Sequence, residues 1–388
     1  MQSRPRPRLS PVVGKARNML AAALGIPISW SAGPAGPAGP SGPAGPTGPA
    51  ALATTAPGAS AQDMPPVLVA CSGGPDSLAL AAVAAFFARR GQLRVGAVVV
   101  DHQLQPESTQ VAQTTAGLLR GLGLDPVEIA TANVFHEGVG PEAAARYARY
   151  AALDEVAARL GAGTVLLGHT LDDQAESVLL GLARGSGTRS LAGMPERRGI
   201  YVRPFLGLRR SETMAICAAE GLEPWHDPTN ADPVFTRSRV RTKVLPFLED
   251  ELGPGIAASL YRSARILGQD ADYLDQLAAE QYARLAESVP GGTSPSEIRL
   301  PEQELRALPP SLRQRVLALA VVGLGGAQPS FERLLAAEAL LARRGSAGPV
   351  QLAGKVEAHR QPRSRTPGGQ PGQQERSGYG KLVFKRSL

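Results

Sequence analysis

Two hydroxyls, two glycines, a proline and an aspartate sit together in Ser72-Gly73-Gly74-Pro75-Asp76-Ser77, between an apolar run at 67–71 and helical composition at 78–90. This is a set suited to an anion. Gly73 and Gly74 lack a Cβ, so the backbone can turn sharply and come close to a ligand. A helix starting near Pro75 points its free N–H groups and the positive end of its dipole back at the turn. The spacing Gly-x-x-x-x-Gly-Lys-Ser/Thr is missing, and no lysine is placed to reach a terminal phosphate, which excludes the common ATPase loop. Asp76 either complements the helix dipole or, facing bound phosphates, holds Mg²⁺ or orients reacting groups. A plain strand–turn–helix connection is the blander reading of these six positions.

Further groups with chemistry lie downstream. Asp101-His102 and His169 with Asp172-Asp173 each follow an apolar run. Thr170 and Asp173 have capping-box spacing, so these aspartates either start a helix or also meet a metal or nucleotide. His102 is either a ligand contact or a packed histidine at a strand end. Arg146, Arg149 and Tyr150 fall within about one helical turn; a guanidinium there can grip phosphate oxygens in bidentate fashion, and a solvated helix face is the alternative. Arg237, Arg239 and Arg241 alternate, an arrangement that an extended loop would align and a helix would spread.

These groups need a scaffold. Strand-like runs at 67–71, 94–100, 127–130 and 164–168 alternate with helical stretches at 107–122, 141–160 and 172–183, the pattern of a doubly wound α/β parallel sheet. Ligands in such folds bind at the carboxyl ends of the strands, where three of the polar clusters fall. After Tyr201 the pattern turns helical, at 211–220, 240–252, 255–285 and 310–343, predicting a smaller helical domain. The expected division is 1–64, an N-terminal helix (11–24) and linker; 65–230, the catalytic domain, with catalysis beginning after Pro65; 231–360, mostly helical; and 361–388, a basic low-complexity tail in which 381–385 could add a strand.

Composition narrows the class. The 388 residues carry a formal net charge of +7 and two cysteines, Cys71 and Cys217, without metal-ligand spacing. That argues against a disulfide framework, structural zinc or an iron–sulfur cluster and for a cytoplasmic protein. No apolar run approaches the roughly 20 residues of a membrane span. The two termini carry the positive charge, leaving a mildly acidic middle, so overall charge argues only weakly for nucleic acid. Within the middle, residues 197–243 hold nine Arg/Lys against five Asp/Glu, the better place for phosphate contacts. The six Gly-Pro-x triplets at 33–50 read as a disordered linker, being very short for a triple helix.

Five segments together resemble one family. They are the loop at 72–77; Val100-Asp-His-Gln-Leu-Gln-Pro-Glu-Ser108; Glu142-Ala-Ala-Ala-Arg-Tyr-Ala-Arg-Tyr150; Gly168-His-Thr-Leu-Asp-Asp-Gln-Ala-Glu-Ser177 with Arg184-Gly-Ser-Gly187; and Arg203-Pro-Phe-Leu through Trp225-His-Asp-Pro-Thr-Asn230 to Arg237-Ser-Arg-Val-Arg241. In this order they are similar to the tRNA(Ile)-lysidine synthetases, over roughly residues 65–250. The resemblance implies an N-type ATP pyrophosphatase (adenine nucleotide alpha-hydrolase-like) fold. It also implies an enzyme that adenylates the first anticodon cytidine of tRNA(Ile) bearing CAU, releases pyrophosphate, and lets free L-lysine displace AMP, so that the tRNA reads AUA. ATP as substrate and Mg²⁺ follow. Ser72, Gly73, Gly74, Pro75, Asp76, Ser77, His102 and His169 are then the expected ATP contacts, and Asp76, Arg146 and Arg241 the catalytic residues. Asp76, Asp172 and Asp173 are the expected metal ligands, and Arg203, Arg237 and Arg239 the tRNA contacts. Ser238 stands where the family pattern has asparagine. No membrane association is expected, and a homodimer is the candidate assembly.

Three alternatives compete. A cytidine thiolase would use the same adenylation but needs paired cysteines; a nucleotide-binding module would bind ATP without releasing pyrophosphate and would not need the arginine-bearing segments. A matrix protein is suggested only by the triplets.

Overall fold

The computed structural model describes residues 10–27, 64–103, 107–132, 140–185, 187–227, 232–291, 295–342, 349–362 and 379–386; the triplets at 33–50 lie outside them. It divides into two compact units, 1–268 and 269–388. In chain order the first unit contains α1 (Pro11–Leu24), β1 (Val67–Ala70), α2 (Pro75–Arg89), β2 (Val95–Asp101), α3 (Ser108–Gly121), β3 (Val127–Thr131), α4 (Pro141–Leu160), β4 (Thr164–Leu167), α5 (Leu171–Ala183) and α6 (Thr188–Leu191). It continues with β5 (Arg197–Arg198), β6 (Tyr201–Val202), α7 (Arg210–Ala219), α8 (Thr236–Arg239), a π turn (Val240–Val244) and α9 (Leu245–Leu252). The border falls within α10 (Ile256–Leu285), not near residue 230.

The sheet order is β3-β2-β1-β4-β6-β5, parallel except for the edge strand β5. Side chains alternate across a strand, and β1 divides its residues accordingly. Val67, Val69 and Cys71 join the core that includes α2 and α7, while Leu68 and Ala70 join the core under α4. Burial on both faces explains why β1, β2 and β4 read as unbroken apolar runs. The chain lays β2 and β3 on one side of β1 and β4 on the other. The strand order therefore reverses between β1 and β4, where such folds open a crevice.

The N-terminal helix belongs to this unit. Val13, Ala16, Leu20, Ala21 and Leu24 are buried in the main core. Lys15 Nζ reaches Glu212 at 2.7 Å and Arg17 reaches Glu220 at 3.2 Å, both on or at the end of α7, and the Arg17 guanidinium lies 3.7 Å from the centroid of the Phe86 ring. Helix α1, from the segment expected to stand apart at 1–64, thus supplies a layer of the first unit.

The second unit holds β7 (Glu287–Val289), β8 (Glu297–Pro301), α11 (Glu302–Ala307), α12 (Pro310–Gly323), α13 (Phe331–Ala342), β9 (Val350–Leu352), β10 (Val356–Pro362) and β11 (Tyr379–Arg386). Its helices are joined by a five-stranded antiparallel sheet, β7-β8-β11-β10-β9. The strand sought at 381–385 is its central member, while the low-complexity residues 363–378 lie outside the described ones. The stretch expected as one helix at 310–343 breaks after Gly323, where Gly325 adopts φ +77°. Inside, Arg360 donates to both carboxylate oxygens of the buried Glu302, at 2.7 and 2.9 Å.

Candidate active site

Between β1 and α2 the loop is held by its own side chains. Ser77 Oγ accepts the Ser72 N–H at 3.2 Å and lies 3.1 Å from the Gly74 carbonyl, to which it donates its one proton. These bonds hold the curvature of the loop. Gly73 sits at φ +81°, and a Cβ there would fall 2.5 Å from Thr115 Oγ1. Gly168, after β4, is tighter still: its Cβ would lie 2.8 Å from backbone atoms of Asp76 and Ser77. The end of β4 therefore packs directly on the first turn of α2. The Trp225 N–H, donating to the Gly73 carbonyl at 2.9 Å, brings the segment after α7 against the loop.

Behind the loop lies a network of ion pairs. Asp76 accepts a hydrogen bond from Thr213 Oγ1 and, at 3.3 Å, from Arg210 Nε. Arg210 Nη2 reaches Asp173 Oδ1 at 3.1 Å. Arg241 joins Asp173 at 3.2 Å and Glu176 at 2.6 and 3.0 Å, and Arg237 Nε meets Glu176 at 2.8 Å. Three carboxylates, of Asp76, Asp173 and Glu176, thus face three guanidiniums. Burial pushes the Asp76 carboxyl up, against the pull of Arg210 and Thr213. At Asp173 burial also opposes ionisation, yet Arg210 and Arg237 outweigh it and hold the carboxyl below its ordinary value. The Thr170–Asp173 capping box forms as well, so Asp173 both starts α5 and binds arginines.

The two histidines follow β2 and β4, the strands on either side of β1, with buried Nδ1 atoms that have no partner among the described residues. Burial lowers the pKa of both, that of His169 to about 3, and Arg149 adds to the effect at each. Neutral imidazoles suit a nucleotide base or ribose better than a phosphate. Arg149 on α4 also acts on Cys71, so its charge is felt at the ends of β1, β2 and β4. Arg146, the arginine singled out from the sequence, is instead exposed on the same helix, 5.3 Å from the Tyr150 ring centroid.

Other expectations are redistributed. Arg203, expected to touch tRNA, is buried and donates to the Pro195 carbonyl at 3.0 Å and to Tyr150 Oη at 3.3 Å; it braces the interior. Asp172 accepts from Arg209 Nη1 at 3.2 Å and from the Arg210 backbone N–H at 2.7 Å, so it anchors α7 rather than joining Asp76 and Asp173. Among the described residues no three His, Cys, Asp or Glu side chains gather to hold a metal ion. The alternating arginines lie on helix, not extended loop: Arg237 and Arg241 turn inward to Glu176, and Arg239 outward, to the Pro233 and Val234 carbonyls at 2.7 and 2.8 Å.

Residues 53–248, half of the chain, match the model of the PP-loop domain, and residues 300–363 match that of the TilS substrate binding domain. The tRNA(Ile)-lysidine synthase of Leifsonia xyli is 51% identical over 77% of this chain and 87% of that protein. Those of Thermobifida fusca and Streptomyces coelicolor are 50% and 48% identical, over 71% and 76% of this chain and 83% of each relative. The chain belongs to the tRNA(Ile)-lysidine synthase family. The fold and ATP-using loop expected from the sequence follow with that membership. Within this family framework, sequence reasoning passed over Glu176, Arg210, Thr213 and Gly168. Glu176 had a legible signal, a charged residue next to the apolar Ala175 and one turn after Asp172-Asp173. Arg210 had none, since its partners Asp76 and Asp173 lie 134 and 37 positions away.

Proposed function

We propose that this chain uses ATP to join L-lysine to the first anticodon cytidine of a tRNA(Ile) bearing CAU. The observation that carries this reading is the convergence of the glycine loop, Asp76 and the Asp173–Glu176–arginine network at the reversal of strand order. In the first step the exocyclic oxygen of cytosine attacks the α-phosphorus of ATP, and the bond to pyrophosphate breaks. Charge grows on the departing pyrophosphate, where loop amides and the α2 dipole act. In the second step the lysine amine attacks the ring carbon bearing that oxygen, the carbon–oxygen bond breaks, AMP departs and the amine loses a proton.

Asp76 and Asp173 would hold Mg²⁺ together with the ATP phosphates, an arrangement of few carboxylates that this ion favours. Both carboxylates now pair with the Arg210 guanidinium, which would have to move aside for the ion. The ion would neutralise phosphate charge. Arg149, better placed than Arg146, grips the nucleotide phosphates beside His102 and His169, and Arg241 orders the carboxylates. Arg239, which turns outward at the end of α8, faces the tRNA, and the setting is cytoplasmic. No helix among the described residues is long and apolar enough to cross a membrane.

The test is transfer of labelled lysine to bulk bacterial tRNA with ATP and Mg²⁺, following AMP and pyrophosphate. Label that survives mild alkaline deacylation is the expected result. Pyrophosphate release without lysine transfer would keep the adenylation and overturn the second substrate; ATP binding without cleavage would overturn the enzyme.

A further inference from the structure

Helix α1 lies against the two helices whose first turns carry the groups around Asp76. Its apolar stripe, Val13, Ala16, Leu20, Ala21 and Leu24, enters the core that also takes in α2 and α7. Its polar side chains reach fixed points of α7. Lys15 Nζ donates at 2.7 Å to one oxygen of Glu212, whose other oxygen accepts the Arg209 N–H at 2.8 Å and so closes the first turn of α7. Arg17, with only 11% of its side chain exposed, donates to Glu220 just past the last turn and lies over the Phe86 ring of α2. Met19 occupies the space beside Gly207, just ahead of α7: a Cβ on Gly207 would fall 3.0 Å from Met19 Cε. Helix α7 is therefore held at its entry, its first turn and its far end, and Arg17 ties it to α2.

We propose that α1 is a positioning element of the adenylation site, in which Lys15 and Arg17 fix the pose of α7 on α2 so that Arg210 and Thr213 meet Asp76. The proposal rests on the reading of Asp76 and its partners as part of the ATP-using site. With ten residues, α7 has a length at which a helix is marginal by itself. Both groups that reach Asp76 stand at its start. A helix packed along one stripe can still slide or turn on its bed, and tethers at both ends remove those freedoms. Ion pairs with partly exposed partners add little to stability. A displacement of about 1 Å near reacting groups, by contrast, can lower a rate about a hundredfold. The two ion pairs should thus be felt in turnover more than in melting.

The test follows kcat and KM of ATP–pyrophosphate exchange with tRNA present, the melting temperature, and hydrogen–deuterium exchange of the full chain. K15M/R17M keeps the apolar stripe and removes both tethers. Its kcat should fall by about tenfold while KM for ATP changes by less than about twofold. Amides of α7 should exchange faster, and the melting temperature should drop by only a few degrees. K15R/R17K should recover most of the kcat. L20A leaves both tethers and removes core packing, so it should lower the melting temperature more, and kcat less, than K15M/R17M. A wild-type kcat in K15M/R17M, or a kcat that falls in step with melting temperature across the set, overturns the proposal. So does a lost kcat with α7 amides unchanged. Wild-type protein that binds ATP and releases no pyrophosphate overturns the lysidine reading instead, and the hold of α1 on α7 is then decided by hydrogen exchange.

Discussion

Replacing Glu176 by glutamine removes one charge from a fully buried position. The two Glu176 oxygens accept from Arg237 at 2.8 Å and from Arg241 at 2.6 and 3.0 Å, with Arg210 at 3.9 Å. Glutamine keeps one acceptor and turns an NH₂ group toward a guanidinium, so one arginine loses its partner and meets a donor. Hydrogen bonds to charged groups contribute about 1.5–3 kcal/mol each, and breaking a buried ion pair from one side costs about 3–5 kcal/mol. The upper range applies here because the balance of three carboxylates and three guanidiniums is also lost. For a unit of 268 residues, where about 1 kcal/mol moves Tm by about 2–4 °C, the melting temperature should fall by roughly 6–20 °C. Urea unfolding followed by circular dichroism and by tryptophan fluorescence measures the loss. The double variant E176Q/R241Q should be less unstable than the sum of the single variants, because the removed guanidinium no longer needs a partner. A loss below about 1 kcal/mol for E176Q, or strict additivity in the double variant, would refute the account of this network.

Four more outcomes follow from the structure. Gly168→Ala should abolish ATP–pyrophosphate exchange and lower stability by about 1–3 kcal/mol, since its Cβ, 2.8 Å from the backbone of Asp76 and Ser77, can only separate β4 from α2; near-normal exchange would show that the packing is not required. Leu20→Ala should cost about 2–5 kcal/mol in urea unfolding, because Leu20 is fully buried against the catalytic core. A chain that starts at residue 65 should unfold more readily still. His169 has a folded pKa depressed from 6.5 to about 3, so the unfolded chain binds the proton first: stability should be full above pH 6.5 and decline as pH falls toward 3. His169→Gln should flatten that part of the stability–pH profile, and an unaltered slope would place the titration elsewhere.

The loop, the alternation of strands and helices and the cluster around Asp172-Asp173 were legible because each depends on neighbours in the chain. A turn needs its glycines in place, a buried parallel strand needs four or five apolar residues in a row, and a capping box needs Thr170 and Asp173 three apart. The same locality misled wherever a side chain's role depends on what packs against it. Arg203 looked like a surface cation and is enclosed by Pro195 and Tyr150. Arg146 and Arg149 differ by three positions, yet only the second acts on the strand ends. The alternation of Arg237, Arg239 and Arg241 suggested an extended segment, while a helix divides them between Glu176 and the outer surface.

The sequence by itself therefore determined the strands and helices from residue 67 to 183, the glycine loop and the family, all written in short-range spacing. Only the tertiary structure decided which charges meet. It placed Arg210 between Asp76 and Asp173, attached α1 to α7, and set β11 in the middle of the second sheet beside β8, some eighty residues earlier. Those partnerships arise from strand order and helix packing, and local pattern carries no record of them.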